Sequence, residues 1–72
     1  MGRRSEYRII CLRLDDGKVQ PLAWIEGQIS AKDLRRATKR FRHDADVIEP
    51  CAMSWVRLYK TIREMKQELP RY

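Results

Sequence analysis

Apolar residues along the chain follow two spacings, one typical of strands and one typical of helices. The segment Tyr7–Leu14 is rich in apolar residues but lacks helical spacing. In an extended chain, apolar side chains would occupy both of its faces, with Tyr7, Ile9 and Cys11 on one and Ile10, Leu12 and Leu14 on the other. This pattern predicts a central strand that is covered on both sides.

A hairpin is predicted after this strand. Asp16-Gly17 is a strong turn signal, because glycine adopts positive φ without strain and aspartate tolerates it. The return strand is predicted over Val19–Glu26. Because Pro21 cannot donate a hydrogen bond to a ladder, this strand should lie at a sheet edge or carry a bulge.

A helix is predicted from Ala31 to His43. Ser30 has the residue type of an N-cap, and Asp33 stands at the capping-box position three residues later. One side of this helix would face the core with Leu34, Ala37, Thr38 and Phe41.

The region after this helix is ambiguous. Residues 46–52 could form a short third strand, which Pro50 would confine to an edge or a kink, and the sequence leaves this open. A second helix is predicted from Trp55 to about Glu68, with Ser54 as its cap. Its apolar stripe consists of Trp55, Leu58, Tyr59, Ile62, Met65 and Leu69. We expect the stripe to cover the core, and a homodimer through this C-terminal helix is the alternative because Val56 widens the stripe.

The predicted fold is therefore a small α+β domain of order β-β-α-(β)-α. We expect a flexible basic arm at residues 1–5, a single domain at 6–69 and a C-terminal tail at 70–72. At 72 residues the domain is near the lower size limit for folding alone. No apolar run is long enough for a membrane span or a secretory signal, so we expect a cytoplasmic protein.

The formal net charge of +6 is concentrated in the first helix. The segment 31–43 contains six Lys or Arg residues and one Asp, a net +5. At about 100° per residue, the basic side chains fall on the side opposite the apolar one. They are the candidate binding residues Lys32, Arg35, Arg36, Lys39, Arg40, Arg42 and His43.

Two interpretations of this basic face compete. An ordinary solvated helix face is charged, but it normally alternates acidic and basic residues at i,i+4. Here Arg35–Lys39 and Lys32–Arg36 are like-charge pairs, each of which costs a few tenths of a kcal/mol, roughly. A binding role for the face explains why a small domain keeps this repulsion.

Nucleic acid, DNA or RNA, is the first expected partner, bound through its phosphates. Secondary contacts are expected from Arg3, Arg4 and Trp24, and Trp24, Tyr7 or Tyr72 could stack on unpaired bases. The alternative for Trp24 is a place in the core.

A protein partner is the second expectation. In this interpretation the chain is a modulator or inhibitor that docks its basic face on an acidic protein surface or in the nucleic-acid-binding channel of a host complex. In size and composition the chain resembles accessory proteins of bacteriophages and other mobile elements. A membrane partner is not expected, because the helix has too few large apolar residues to insert.

Catalytic and metal-binding residues are sparse, so we expect no enzyme, no metal site and no cofactor. The single histidine, His43, stands near the predicted end of a helix, where a cation complements the dipole. Cys11 and Cys51 show no metal-ligand spacing and are expected to be free, buried thiols.

Overall fold

The computed structural model describes residues 6–41 and 47–72, with side chains for 6–40 and 49–72. Its elements are β1 (Tyr7–Leu14), β2 (Val19–Glu26), α1 (Ala31–Thr38), a 3₁₀ turn (Lys39–Phe41), β3 (Val47–Ser54), a second 3₁₀ turn (Trp55–Arg57) and α2 (Ile62–Glu68). The strands form one antiparallel sheet of order β2-β1-β3. The predicted α+β class is confirmed, and the segment that the sequence left open is a strand. The predicted arm at residues 1–5 lies outside the described residues.

The hairpin has the predicted strand bounds, with the four residues 15–18 between them. The N–H of Leu14 donates to the carbonyl of Lys18 at 2.8 Å, which closes the loop. Gly17 has a φ of +87°, a conformation that would strain any other residue type. No described non-glycine residue has a positive φ. The carboxylate of Asp16 accepts from the N–H of Lys18 at 2.9 Å and fixes the turn from within.

Proline confines both outer strands to the edges of the sheet. β2 lies at one edge, and the pairing shifts from Ile10–Ala23 to Cys11–Pro21, which leaves Leu22 as an extra residue in a bulge. The edge and the bulge predicted from Pro21 are thus both present. β3 lies at the other edge with Pro50, as its proline predicted.

The first helix is shorter than predicted. Ser30 caps it as expected, since its Oγ accepts from the N–H of Asp33 at 3.1 Å. The α-helix ends at Thr38 and continues as a 3₁₀ turn, in place of the predicted α-helix to His43. The hydroxyl of Thr38 donates to the carbonyl of Leu34 at 2.9 Å, and such back-bonding favours a change of helix geometry. His43 lies outside the described residues.

The prediction of one helix over Trp55–Glu68 is wrong in its first half. Ser54 makes no side-chain cap, and only a 3₁₀ turn follows it. The α-helix begins after Thr61, whose Oγ1 accepts from the N–H of Glu64 at 3.0 Å. Oε1 of Glu64 in turn accepts from the N–H of Lys60 at 3.2 Å. This reciprocal cap satisfies two backbone N–H groups and sets the start of α2.

The two helices lie on opposite faces of the sheet. α1 packs on the face where Ile10 and Leu12 are buried, over β1 and β3. The other face carries a core cluster of Ile9, Cys11, Trp24 and Met65. The predicted apolar stripe packs against this cluster with Trp55, Leu58, Tyr59, Ile62 and Leu69. The stripe therefore covers the core although it is divided among the second 3₁₀ turn, α2 and the residues next to them.

The last residues of the chain follow the edge of β2. The N–H of Trp24 donates to the carbonyl of Pro70 at 3.0 Å, and the N–H of Tyr72 donates to the carbonyl of Trp24 at 2.8 Å. The predicted tail at 70–72 therefore extends the sheet and leads from α2 back to α1. Among the helices described, none is both long and apolar enough to cross a membrane.

Candidate functional site

The described part of the basic face is exposed to solvent. All five of its cations in this part are exposed, namely Lys32, Arg35, Arg36, Lys39 and Arg40. The remaining predicted contacts, Arg42, His43, Arg3 and Arg4, lie outside the described residues. Exposure of so many cations on one short helix gives a partner direct access to positive charge.

Most of these cations have no acidic partner among the residues that the structure describes. In the described ranges, ion pairs join Arg8 to Glu6 at 3.9 Å and Arg13 to Glu49 at 3.7 Å, both far in sequence from α1. Four of the cations have no carboxylate of a described residue within ion-pair distance, and we call them the α1 cations: Lys32, Arg35 and Arg36 of α1, and Lys39 of the 3₁₀ turn that continues it. Their mutual repulsion is consequently not relieved by an ion pair with a described acidic side chain.

A groove separates α1 from the C-terminal segment, and we call it the α1–tail groove. One part of it is a cavity of about 480 Å³ lined by Arg36, Ala37, Lys39, Arg40 and Tyr72. A second part, of about 210 Å³, is lined by Ile10, Leu22, Ala23, Ala37, Arg40, Pro70, Arg71 and Tyr72. Both parts share Ala37, Arg40 and Tyr72, so they lie next to each other along α1.

Only some of the cations that the sequence predicted on one helix face line the groove. Arg40 lines it together with Ile10 and Ala23 of the sheet, so its side chain is not opposite the core. A 3₁₀ turn advances about 120° per residue instead of about 100°, and this change redirects residues after Thr38. Lys32 and Arg35 are not among the groove's lining residues. The basic face therefore has two parts, one that lines the groove and one, with Lys32 and Arg35, on the outer surface of the helix.

Trp24 occupies the core, as the alternative interpretation of this residue expected. It is 9% exposed, and the Tyr7 ring meets it edge to face with the centroids 5.7 Å apart. Cations also cover it, because Nζ of Lys66 lies 4.9 Å from its ring and Cζ of Arg71 lies 5.4 Å away. Little of this ring is left for a partner.

Tyr72 is the aromatic residue that the structure adds to the site. It is 52% exposed, and Val56 at 63% is the other exposed large apolar residue among the described side chains. The sequence named Tyr72 as one of several stacking candidates without placing it near α1. Its position depends on hydrogen bonds to β2, which no pattern in the sequence indicates.

The two cysteines face each other across β1 and β3. Cys11 pairs directly with Cys51 in the register, and both thiols are free, as predicted. Burial raises the pKa of the Cys11 thiol to about 12, and the nearby Cys51 adds to the shift. Cys51 is only half-buried, in contrast to the prediction. Within the described ranges, no three His, Cys, Asp or Glu side chains are grouped as metal ligands would be.

The arrangement combines cations that can bind anions with an apolar floor and an exposed ring. Guanidinium groups suit oxyanions because their N–H donors match two oxygens at once. The exposed ring of Tyr72 can contact a flat apolar group in the same groove. Comparison of the chain with protein-family models, curated proteins and solved structures finds no match.

Proposed function

We propose that this protein binds nucleic acid through the cations of α1, which contact phosphate oxygens. The observation that carries the proposal is the set of exposed α1 cations without described carboxylate partners, Lys32, Arg35, Arg36 and Lys39. A polyanion would supply the counter-charge that the described acidic residues do not.

The energetic argument concerns the stability of a small domain. Arg35–Lys39 and Lys32–Arg36 are like-charge pairs one turn apart, and each costs about 0.2–0.5 kcal/mol. A domain of this size is stabilised by only about 0.05–0.15 kcal/mol per residue, so the repulsion is a real fraction of its stability. Phosphates bound along the helix would turn the repulsion into attraction.

The length of α1 limits the number of contacts. Its eight residues span about 12 Å at 1.5 Å per residue. Phosphates of one DNA strand are about 3.4 Å apart along the axis, so about four lie within reach. At about 0.9 per contact, the logarithm of the duplex binding constant should fall with the logarithm of salt concentration with a slope of about −3 to −4. Because the contacts are to the backbone, sequence preference should be modest.

Binding measurements on matched charge variants test the proposal. Fluorescence anisotropy with labelled duplex DNA, single-stranded DNA and RNA at two salt concentrations gives the affinity and its salt dependence. The test variant is Arg35→Glu/Arg36→Glu/Lys39→Glu. The control variant, Arg57→Glu/Lys60→Glu/Arg63→Glu, changes exposed cations on the opposite side of the sheet. Both variants lower the formal net charge from +6 to zero.

We expect the α1 variant to lose salt-sensitive binding and the control variant to retain most of it. Equal losses in both variants would show that net charge alone drives binding, and would refute a site on α1. Absence of binding to all ligands at low salt would refute the proposal and favour an acidic protein surface as the partner. Circular dichroism of each variant verifies that the fold is retained.

A further inference from the structure

We infer that the α1–tail groove holds an unpaired nucleotide, with its base against Tyr72 and its phosphate at the α1 cations. The protein would then prefer single-stranded nucleic acid to duplex. This inference rests on the proposed function and adds to it the strand state of the ligand and the residue that selects it.

The groove has the composition that such a nucleotide requires. Its lining includes Arg36, Lys39 and Arg40 from the helix side and Tyr72 from the C-terminal segment. The adjoining part has an apolar floor that includes Ile10 and Ala23. Its larger cavity, about 480 Å³, is within the range of about 300–1,000 Å³ typical of small-molecule sites. A charged group and a flat apolar group can therefore bind side by side.

The backbone of Tyr72 is held in place by the sheet. Its N–H donates to the carbonyl of Trp24 at 2.8 Å, and Trp24 itself is part of the core. The side chain is 52% exposed, so its ring is open to a ligand. Because the main chain is already fixed, stacking of this ring on a base costs less conformational freedom than stacking of a ring on an unpaired segment.

Single strands fit this groove better than duplexes. The bases of a duplex are stacked and paired, so a ring at the protein surface meets only the backbone or a groove edge. An unpaired base exposes its π-face, and stacking on an aromatic side chain tolerates any sequence. An acidic peptide offers the ring a flat group only where it carries an aromatic side chain, whereas every unpaired nucleotide has a base next to its phosphate, so nucleic acid is the favoured occupant.

Substitutions of Tyr72 combined with an abasic ligand test the inference. The ligands are a labelled twelve-residue oligothymidylate, an abasic strand of the same length and a duplex, and the variants are Tyr72→Ala, Tyr72→Phe and the control Val56→Ala. Stacking of one base predicts that Tyr72→Ala weakens oligothymidylate binding by about 5- to 150-fold. Binding of the abasic strand and of the duplex should be unchanged, and Tyr72→Phe and Val56→Ala should bind like the wild type.

The outcomes separate this inference from the proposed function. If Tyr72→Ala binds oligothymidylate as tightly as the wild type while Arg35→Glu/Arg36→Glu/Lys39→Glu does not, the stacking site is refuted and the phosphate contacts stand. An equal loss on the abasic strand would also refute stacking, because it would show that the ring only supports the fold. If the wild type binds no oligonucleotide, both ideas fail.

Discussion

Replacement of Lys32 by glutamate should stabilise the protein while it weakens nucleic-acid binding. Lys32 is exposed, is the second residue of α1 after the Ser30 cap, and lies one turn before Arg36. A glutamate at this position attracts Arg36 instead of repelling it, which should raise the free energy of unfolding by about 0.4–1 kcal/mol. It also places an acidic group near the positive end of the helix dipole, which adds about 0.3–1 kcal/mol.

The expected net gain is about 1 kcal/mol, which raises Tm by about 4–8 °C in a domain of this size. Thermal unfolding followed by circular dichroism measures it at low salt. Because exposed charges are screened within about 3 Å in 1 M salt, most of the gain should vanish there. Anisotropy with single-stranded DNA should show weaker binding and a salt slope reduced by roughly 0.7.

Arg63→Glu is the matched control, since Arg63 is the second residue of α2 after the Thr61 cap. It changes the net charge equally and gains from the same dipole, but α2 lies on the far side of the sheet from α1. Its binding should match that of the wild type. If Lys32→Glu lowers stability while Arg63→Glu raises it, the idea that α1 carries unrelieved repulsion is wrong.

Three further predictions concern the core, the helix start and the response to alkali. Met65→Ala should lower the free energy of unfolding by about 2–5 kcal/mol in urea titrations, because Met65 is 0% exposed; a loss below 1 kcal/mol would contradict its place in the core. Thr61→Ala should lower the free energy of unfolding by about 1 kcal/mol and Ser54→Ala by much less, because of these two residues only Thr61 caps a helix. Equal losses in the two variants would contradict this assignment. The contribution of Cys11 to the free energy of unfolding should be fully present below about pH 9 and should be lost as pH rises toward about 12. The buried Cys11 thiol keeps its proton in the folded state, whereas the exposed thiol of the unfolded chain loses it. Cys11→Ala should flatten this alkaline slope in urea titrations at stepped pH, and an unchanged slope would contradict the raised pKa.

Local signals in the sequence were sufficient for the hairpin and the sheet edges. Gly17 permits the positive φ of the turn and Pro21 lacks the N–H that a ladder requires, so turn, edge and bulge follow without knowledge of the rest of the fold. The cap at Ser30 is equally local. These features could be predicted because the physical cause and its effect lie within a few residues.

The second helix shows where periodicity misleads. A stripe at helical spacing reports which side chains are buried, and a 3₁₀ turn followed by a short α-helix buried the same set. Thr61 and Glu64 already formed a capping-box pattern in the sequence, which indicates a helix start at Ile62. A complete capping box therefore locates a helix start better than the apolar stripe or a lone serine such as Ser54 does.

The groove could not be predicted because its walls are distant in sequence. Arg36 and Tyr72 are brought together by backbone hydrogen bonds between Trp24 and the last residues of the chain, and main-chain bonding leaves no mark in residue type. The division of cations between groove and outer surface depends likewise on the 3₁₀ turn after Thr38. The charge of the site could be predicted from composition, whereas its shape required the fold.

The charge of the site and its shape contribute differently to binding. The cations of α1 alone would hold any phosphate backbone, because charge attraction does not distinguish paired from unpaired strands. The ring of Tyr72 can discriminate only where the edge of β2 holds it beside those cations. A peptide of residues 29–41 should therefore bind duplex and single strand alike, whereas the folded protein should prefer the single strand. Strand preference, in this view, is a property of the sheet edge, whereas the affinity that both strand states share is a property of the helix.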